Sequence, residues 1–235
     1  MLKIDAIPLF EGTSEEFKKE TDPCLRWKTY KTGQEIINRE DVNTDILFVV
    51  KGSVCVLIYT LSGREVRLDD VEAGSFFGEM SALDKAPRSA SVIALEPTEI
   101  AFLPAEKFMD GLRKEFKVSL RTMQRMATII RFANERIIEL STLGANNRIH
   151  AEILRLAHKQ GVEKDGKIYI SPIPVHSDIA ARISTVRETV ARTMSDLAKQ
   201  GIVTRENGAL VVHDVRRLEQ LVRNVRGGDM TEKES

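Results

Sequence analysis

Cysteine is almost missing from this chain. Cys24 and Cys55 are the only two in 235 residues, far apart and in no Cys-x-x-Cys pair. That argues against a disulfide scaffold, a zinc site or an iron–sulfur cluster. The start, Met-Leu-Lys-Ile-Asp, is not a basic-then-apolar leader, and no apolar run reaches the roughly 18 residues of a membrane span. A soluble, cytoplasmic chain without membrane contact is expected. Histidine is scarce too, at 150, 158, 176 and 213 only. No nucleophile elbow, Walker loop or His-Glu-x-x-His occurs, so no enzyme, catalytic residue or metal site is expected. Net charge is also absent, 35 Lys and Arg cancelling 35 Asp and Glu. The balance is uneven along the chain, however. Residues 1–143 carry 20 basic against 23 acidic side chains, and residues 144–227 carry 14 against 9. A mildly basic C-terminal part is the direction expected of a DNA-binding module.

What is present is concentrated in Gly74-Ser-Phe-Phe-Gly78-Glu79-Met80-Ser-Ala-Leu-Asp-Lys-Ala-Pro87-Arg88-Ser89-Ala90. The run sets a carboxylate and a guanidinium around a short apolar turn and an X-Pro break. A cyclic nucleotide asks for those groups: its phosphodiester suits the fixed fork of an arginine, and its ribose 2′-hydroxyl suits a carboxylate acceptor. Glycines at 74 and 78 allow close backbone approach, and a helical turn at Met80–Leu83 would aim N–H groups at the phosphate. A Glu–Arg pair alone is usually a surface ion pair. The whole pattern Gly-Glu-x-x-x-Leu-x-x-x-Pro-Arg-Ser-Ala is more specific, and it resembles the phosphate-binding cassette of cyclic-nucleotide-binding domains.

Around the cassette, residues 26–103 read as short strands punctuated by Gly, Asn and Asp, the pattern of a β-roll or barrel. Asp45–Tyr59 holds a strand pair with Gly52 as turn or bulge, Leu61-Ser-Gly63-Arg is a turn, and Glu65–Asp70 is a strand. Ala90–Leu103 forms a final pair around Glu96-Pro97. Cys55, alternating with Val54 and Val56, reads as a buried small hydrophobe. Residues 105–143 read as one long helix with a weak spot at Gly111. Its seam of Phe116, Leu120, Met123, Ala127, Ile130, Asn134, Ile137 and Ser141 alternates spacings of four and three, a heptad repeat. Such a seam suits a parallel coiled coil with a second copy through residues 116–141, or an amphipathic helix packed on its own domain. Gly144-Ala-Asn-Asn is expected to be a hinge.

The C-terminal part begins with a helix, Arg148–Gln160, then the polar turn Glu163-Lys-Asp-Gly-Lys and a short strand. Ser177–Leu197 reads as helix–turn–helix, with Ile179, Ala180, Ile183, Val186, Val190 and Met194 as its apolar contacts. The second helix begins near Thr185. Val203–Val212 is a hairpin with Asn207-Gly208 at the tip, a type I′ signal. The fold class is therefore α+β: a β-roll with a long helix over 1–143, a winged helix–turn–helix over 144–227, and a polar tail over 228–235. On the second helix Arg187, Glu188 and Arg192 share one face. Arginine matches O6 and N7 of guanine, and glutamate accepts from the amino group of cytosine; the plainer alternative is an i,i+4 Glu–Arg pair on a solvated face.

The order of β-roll, Gly-Glu…Pro-Arg-Ser cassette, long helix, Arg187-Glu-Thr-Val-x-Arg192 and hairpin resembles the cyclic AMP receptor protein family over about residues 8–213. Lys51-Gly-Ser-Val-x-Val-Leu-Ile58 belongs to the same likeness. The resemblance implies a homodimeric, sequence-specific DNA-binding regulator gated by a cyclic nucleotide, with RNA polymerase as a partner. The Asn134 amide, with both an acceptor and a donor, predicts that cAMP and cGMP both bind, cAMP being the activator. The resemblance further implies Glu79 on the ribose and Arg88 and Ser89 on the phosphate. Gly78, Met80, Leu68, Ala133 and Asn134 would complete the nucleotide site. Arg187, Glu188 and Arg192 would read a TGTGA-like half-site, with Thr189, His176 and Ser177 beside them on the DNA. Three departures stand out. The cassette is one residue shorter than in the founding member. Ser184 occupies a turn position usually held by glycine. Ala133-Asn134 replaces the Thr-Ser pair that meets the adenine. A regulator of the same fold sensing haem or no effector, and a module that only sequesters nucleotide, are the alternatives.

Overall fold

The computed structural model describes residues 2–223; the expected polar tail lies outside them. The described residues pack as two units that divide between Ile130 and Arg131.

In the first unit α1 (Glu15–Thr21) precedes strands β1 (Arg26–Tyr30), β2 (Glu35–Ile37), β3 (Ile46–Lys51), β4 (Ser53–Tyr59), β5 (Glu65–Glu72) and β6 (Phe76–Phe77). A short helix α2 (Glu79–Asp84), strands β7 (Ser91–Ala94) and β8 (Thr98–Leu103), helix α3 (Ala105–Lys114) and helix α4 (Phe116–Thr142) follow. The strands form two antiparallel four-stranded sheets, ordered β1-β8-β3-β6 and β2-β7-β4-β5. Alternation along β3 and β4 sends Leu47, Val49 and Val54 into the core with Tyr30, Val71, Phe77, Val92 and Ile100. Phe10, Phe17, Phe48, Phe76, Phe108 and Val118 form a second apolar cluster. Cys55 is buried, 1% exposed.

The expected single helix over 105–143 is in fact two. The break falls at Glu115, whose backbone is extended (φ −119°, ψ 100°), and not at Gly111. Glu115 accepts from the Ser14 backbone N–H at 3.2 Å and from the Ser14 hydroxyl, while Ser14 also caps α1 through the Phe17 N–H. The bend is thus fixed by a residue about a hundred positions away. Gly111 stays helical, buried against the Phe17 ring.

The second unit contains the C-terminal part of α4, then α5 (Ala145–Gln160), β9 (Gly161–Lys164), β10 (Lys167–Ile170), α6 (His176–Arg182), α7 (Arg187–Lys199), β11 (Val203–Glu206), β12 (Ala209–Val212) and α8 (Val215–Arg223). Its sheet runs β11-β12-β10-β9. The turn expected over Glu163–Lys167 is shorter: Glu163 and Lys164 end strand β9, Lys167 starts β10, and the turn is Asp165-Gly166, both at positive φ. Asn207 and Gly208 (φ 49° and 79°) close the other hairpin as the sequence predicts. Ile149, Ile153, Ile179, Ile183, Val190, Leu197 and Leu210 are among the side chains filling the core. Val186 is not: it is 52% exposed, because its extended backbone (φ −108°, ψ 152°) forms the N-cap of α7. The second helix accordingly starts at Arg187, two residues later than expected.

Gly144 interrupts the chain between α4 and α5, but it lies inside the second unit and the flanking helices are tied together. Arg155 of α5 pairs with Glu139 of α4 at 2.6 Å, and Arg148 donates to the Leu143 carbonyl at 2.8 Å. The expected hinge is therefore braced.

Candidate functional site

Local geometry explains the cassette. β6 ends at Phe77, Gly78 turns the chain at φ +82°, and α2 starts at Glu79. A Cβ at position 78 would lie 2.5 Å from Arg88 Nη1, so only glycine lets the guanidinium come this close. Arg88 Nη1 donates to the Gly78 carbonyl at 3.0 Å. Its Nη2 donates to the Asp45 carbonyl at 2.6 Å and to Asn43 Oδ1 at 3.3 Å. Its Nε is buried with no hydrogen-bond partner. Arg88 and Glu79 are each only 5% exposed, although neither residue type is ordinarily buried without a partner. Glu79 enters no ion pair among the described residues. Burial raises its pKa above the ordinary glutamate value, while Arg125 and Arg88 pull it back. Burial likewise lowers the Arg88 pKa, with Asp45, Asp41 and Glu79 opposing.

Met80 and Ser89 are exposed, sulfur to hydroxyl 3.9 Å. Leu68 is 40% exposed on β5. The β4 partners of Arg67 and Asp69 are the consecutive Leu57 and Val56, leaving Leu68 as the extra residue of a bulge. Ala133 and Asn134 lie on α4 in the second unit, both exposed. Sequence reasoning missed Asn43 and Asp45, which hold Arg88. Nothing in the polar stretch Asn43-Thr-Asp45 signals that its backbone meets the residue before α2.

In the second unit α6 and α7 flank a turn in which Ser184 sits at φ +54°. The left-handed turn usually given to glycine is kept, with a side chain in place. Arg187, Glu188 and Arg192 are exposed on α7. None of the three makes a side-chain hydrogen bond or ion pair among the described residues, so the plainer i,i+4 Glu–Arg pair is not formed. Thr189 is partly buried, and its carbonyl accepts from the Thr193 hydroxyl at 3.0 Å. That hydroxyl also meets Asn146 Oδ1 at 2.9 Å, tying α7 to α5. At the start of α6, Ser177 is exposed and His176 Nε2 lies 2.7 Å from Arg205 Nη2 on β11. Burial, Arg205 and Arg187 all hold the His176 pKa below the ordinary histidine value. His176 and Arg205 thus meet where the start of α6 lies beside the hairpin strand β11. Among the described residues no helix is long and apolar enough to cross a membrane.

Comparison with known proteins supports both halves. Residues 27–115 match the cyclic nucleotide-binding domain and residues 147–221 the Crp-like helix-turn-helix domain. The cyclic AMP receptor protein of Thermus thermophilus is 32% identical over 217 residues, spanning 91% of this chain and 96% of that protein. The cAMP-activated global transcriptional regulator of Salmonella typhimurium is 28% identical over 210 residues, 85% and 98% of the two chains. In fold, the chain is similar to a CooA variant from Carboxydothermus hydrogenoformans, with a TM-score of 0.77 at 20% identity over 90% and 92% of the chains. With a cassette that buries a carboxylate and a guanidinium, and a helix–turn–helix that leaves its charges bare, the chain belongs to the cyclic AMP receptor protein family of DNA-binding transcription regulators, not to a family of enzymes.

Proposed function

We propose that this chain is a homodimeric, cyclic-nucleotide-gated regulator that reads a TGTGA-like palindrome, with cAMP its principal ligand and cGMP a second. One observation carries the reading: Arg88 keeps a buried, unpartnered Nε beside Glu79, a buried carboxylate with no ion pair. Buried charges are costly unless something completes them. An anionic sugar phosphate bearing a free hydroxyl offers an acceptor to the first and a donor to the second. In this reading Glu79 takes the ribose hydroxyl. Arg88 and Ser89 take the phosphate, Gly78 and Met80 line its approach, and Leu68 flanks the base. Asn134, with Ala133 beside it, meets the purine held by the second copy. Its amide offers either a carbonyl to adenine or an NH2 to guanine, so selectivity between cAMP and cGMP should be loose.

The second copy is supported by the heptad seam. Phe116, Met123, Ile130 and Ile137 are 74%, 56%, 56% and 61% exposed in the single chain, a stripe that a parallel partner helix would cover. DNA contact would fall to Arg187, Glu188 and Arg192, with Thr189, His176 and Ser177 at the edge, in a cytoplasmic protein that works with RNA polymerase. Residues 1–143 would then serve ligand and dimer, and residues 144–227 the DNA.

Calorimetric titration of the full chain with cAMP and with cGMP tests the reading. Both should bind, within about a hundredfold of each other, and Asn134→Ala should alter their ratio. A mobility shift on a duplex with inverted TGTGA half-sites should tighten on adding nucleotide. Absence of binding by either nucleotide would instead favour a regulator of this fold tuned to another effector.

A further inference from the structure

Val186 departs from local preference in two respects at once. It is the N-cap of α7, with an extended backbone (φ −108°, ψ 152°), and its side chain makes no cap hydrogen bond. Serine, threonine, aspartate or asparagine is strongly preferred there, because a side-chain oxygen satisfies an N–H of the first turn and valine has none to give. The side chain is also 52% exposed, although Val190, one turn further along α7, is fully buried. A valine that neither caps nor packs adds little to the fold. Positions where local preference and burial both disagree with the residue present are characteristic of functional sites.

The backbone beneath this side chain is firmly held. The Val186 carbonyl accepts from the N–H groups of Thr189 at 3.1 Å and Val190 at 3.3 Å. The turn before it passes through Ser184 at φ +54° and is closed by the Thr185 N–H, which donates to the Ala180 carbonyl at 3.0 Å. A β-branched side chain is stiff at χ1. The valine methyls are therefore presented with little freedom, at the end of α7 that also leaves Arg187 and Glu188 exposed.

In a helix–turn–helix the N-terminal residues of the second helix meet the base edges in the major groove. Arginine and glutamate find hydrogen-bonding partners there, whereas an apolar side chain is matched by the C5-methyl group of thymine. Resting on the base-reading assignment of α7, we propose that Val186 is a specificity-determining residue that recognises a thymine through its methyl group. Its contact adds to Arg187, Glu188 and Arg192 a base selected without a hydrogen bond. Packing of the valine on a deoxyribose would bury the same side chain, but it would be blind to sequence, and removal of the thymine methyl separates the two.

The test uses the full chain with cAMP and starts by selecting its preferred duplex from a randomised pool, so that it does not depend on the TGTGA half-site. Each thymine of the selected half-site is then replaced by deoxyuridine, which lacks only the 5-methyl group. Affinity is read by fluorescence anisotropy for wild type, Val186→Ala and Val186→Ser. One thymine should stand out with wild type, where losing its methyl weakens binding about fourfold per half-site, as expected for one buried methyl-sized group. With either variant the same replacement should cost almost nothing, while deoxyuridine at the other thymines affects all three proteins alike. Val186→Ser supplies the missing cap, so it should melt at or above wild type while it loses the methyl discrimination. A merely structural valine would not uncouple stability from base preference in this way. Deoxyuridine effects that are the same in wild type and variants at every thymine would overturn the proposal and place the valine on the backbone. A selected site unlike TGTGA would remove the half-site reading, and the thymine comparison on that site would still decide for or against Val186. Failure to retain any duplex would remove both.

Discussion

The cassette and the C-terminal end of α4 both bury charge, and they do it in opposite ways. In the second unit Glu139 and Glu152 are 2% and 1% exposed, and Arg136, Arg155 and Arg182 enclose them. Arg155 also closes tightly on Glu152, and Arg136 donates to the Arg182 carbonyl at 2.6 Å. There the charges complete one another and join α4, α5 and α6. In the cassette Glu79 and Arg88 are buried as deeply but do not pair, and one Arg88 donor is left over. Complete charge networks hold a fold together, whereas incomplete ones wait for something to complete them. The exposed Arg187, Glu188 and Arg192 mark a third condition, charges left in water.

The comparison can be broken most severely at Glu152. Glu152→Ala would strand the surrounding guanidiniums, and urea unfolding should show about 3–5 kcal/mol lost. A loss below about 1 kcal/mol would mean the network is not structural. Arg88→Ala should cost about 2–5 kcal/mol of nucleotide affinity, since it removes a largely desolvated charge-assisted bond. Equal binding by the variant and wild type would put the ligand elsewhere. On α7, Glu188→Ala should lose about 1–3 kcal/mol of discrimination at one base pair while stability changes by no more than about 0.5 kcal/mol. Uniform weakening across half-site variants would remove Glu188 from base reading.

Ser184→Gly should gain about 1 kcal/mol, because the residue already sits at φ +54° and glycine relieves the Cβ strain. A thermal melt at or below that of wild type would show the strain to be compensated. The smallest effect sharpens the contrast with Glu152. Glu79→Gln should stabilise the ligand-free chain at neutral pH while it abolishes nucleotide binding. Because burial raises the folded-state pKa of Glu79, its ionisation opposes folding. That cost is absent below the ordinary value near 4.5 and grows as pH rises through the folded value. The gain of Glu79→Gln should therefore vanish in acid, and a gain independent of pH would point to packing instead of charge.

Much of this was legible in the residues. Glycine at 78 and the Pro-Arg-Ser that follows are local requirements of one turn, and the β-hairpin tip at Asn207-Gly208 is written in two residues whose backbone freedom names the turn. The seam of α4 is equally plain, because a heptad repeat is a property of spacing alone. Less legible were the pieces without local punctuation. The helices α1 and α8 carry no strong motif, and residues 161–164 become a strand only because β10 offers them an antiparallel partner.

Sequence by itself determined the periodicities, the turns and the types of charge available at each site, since those follow from short-range backbone sterics and side-chain chemistry. Tertiary structure alone decided where the long helix breaks, because Glu115 is drawn out of helical geometry by Ser14. It decided that Val186 faces solvent, since a residue that caps α7 cannot also pack beneath it. It also decided which charges are completed and which are not. Arg88 meets carbonyls from residues 45 and 78, and Arg125 meets Asp69 across a bulged strand. Those pairings depend on the convergence of segments distant in the chain, and no local pattern encodes a distance in space.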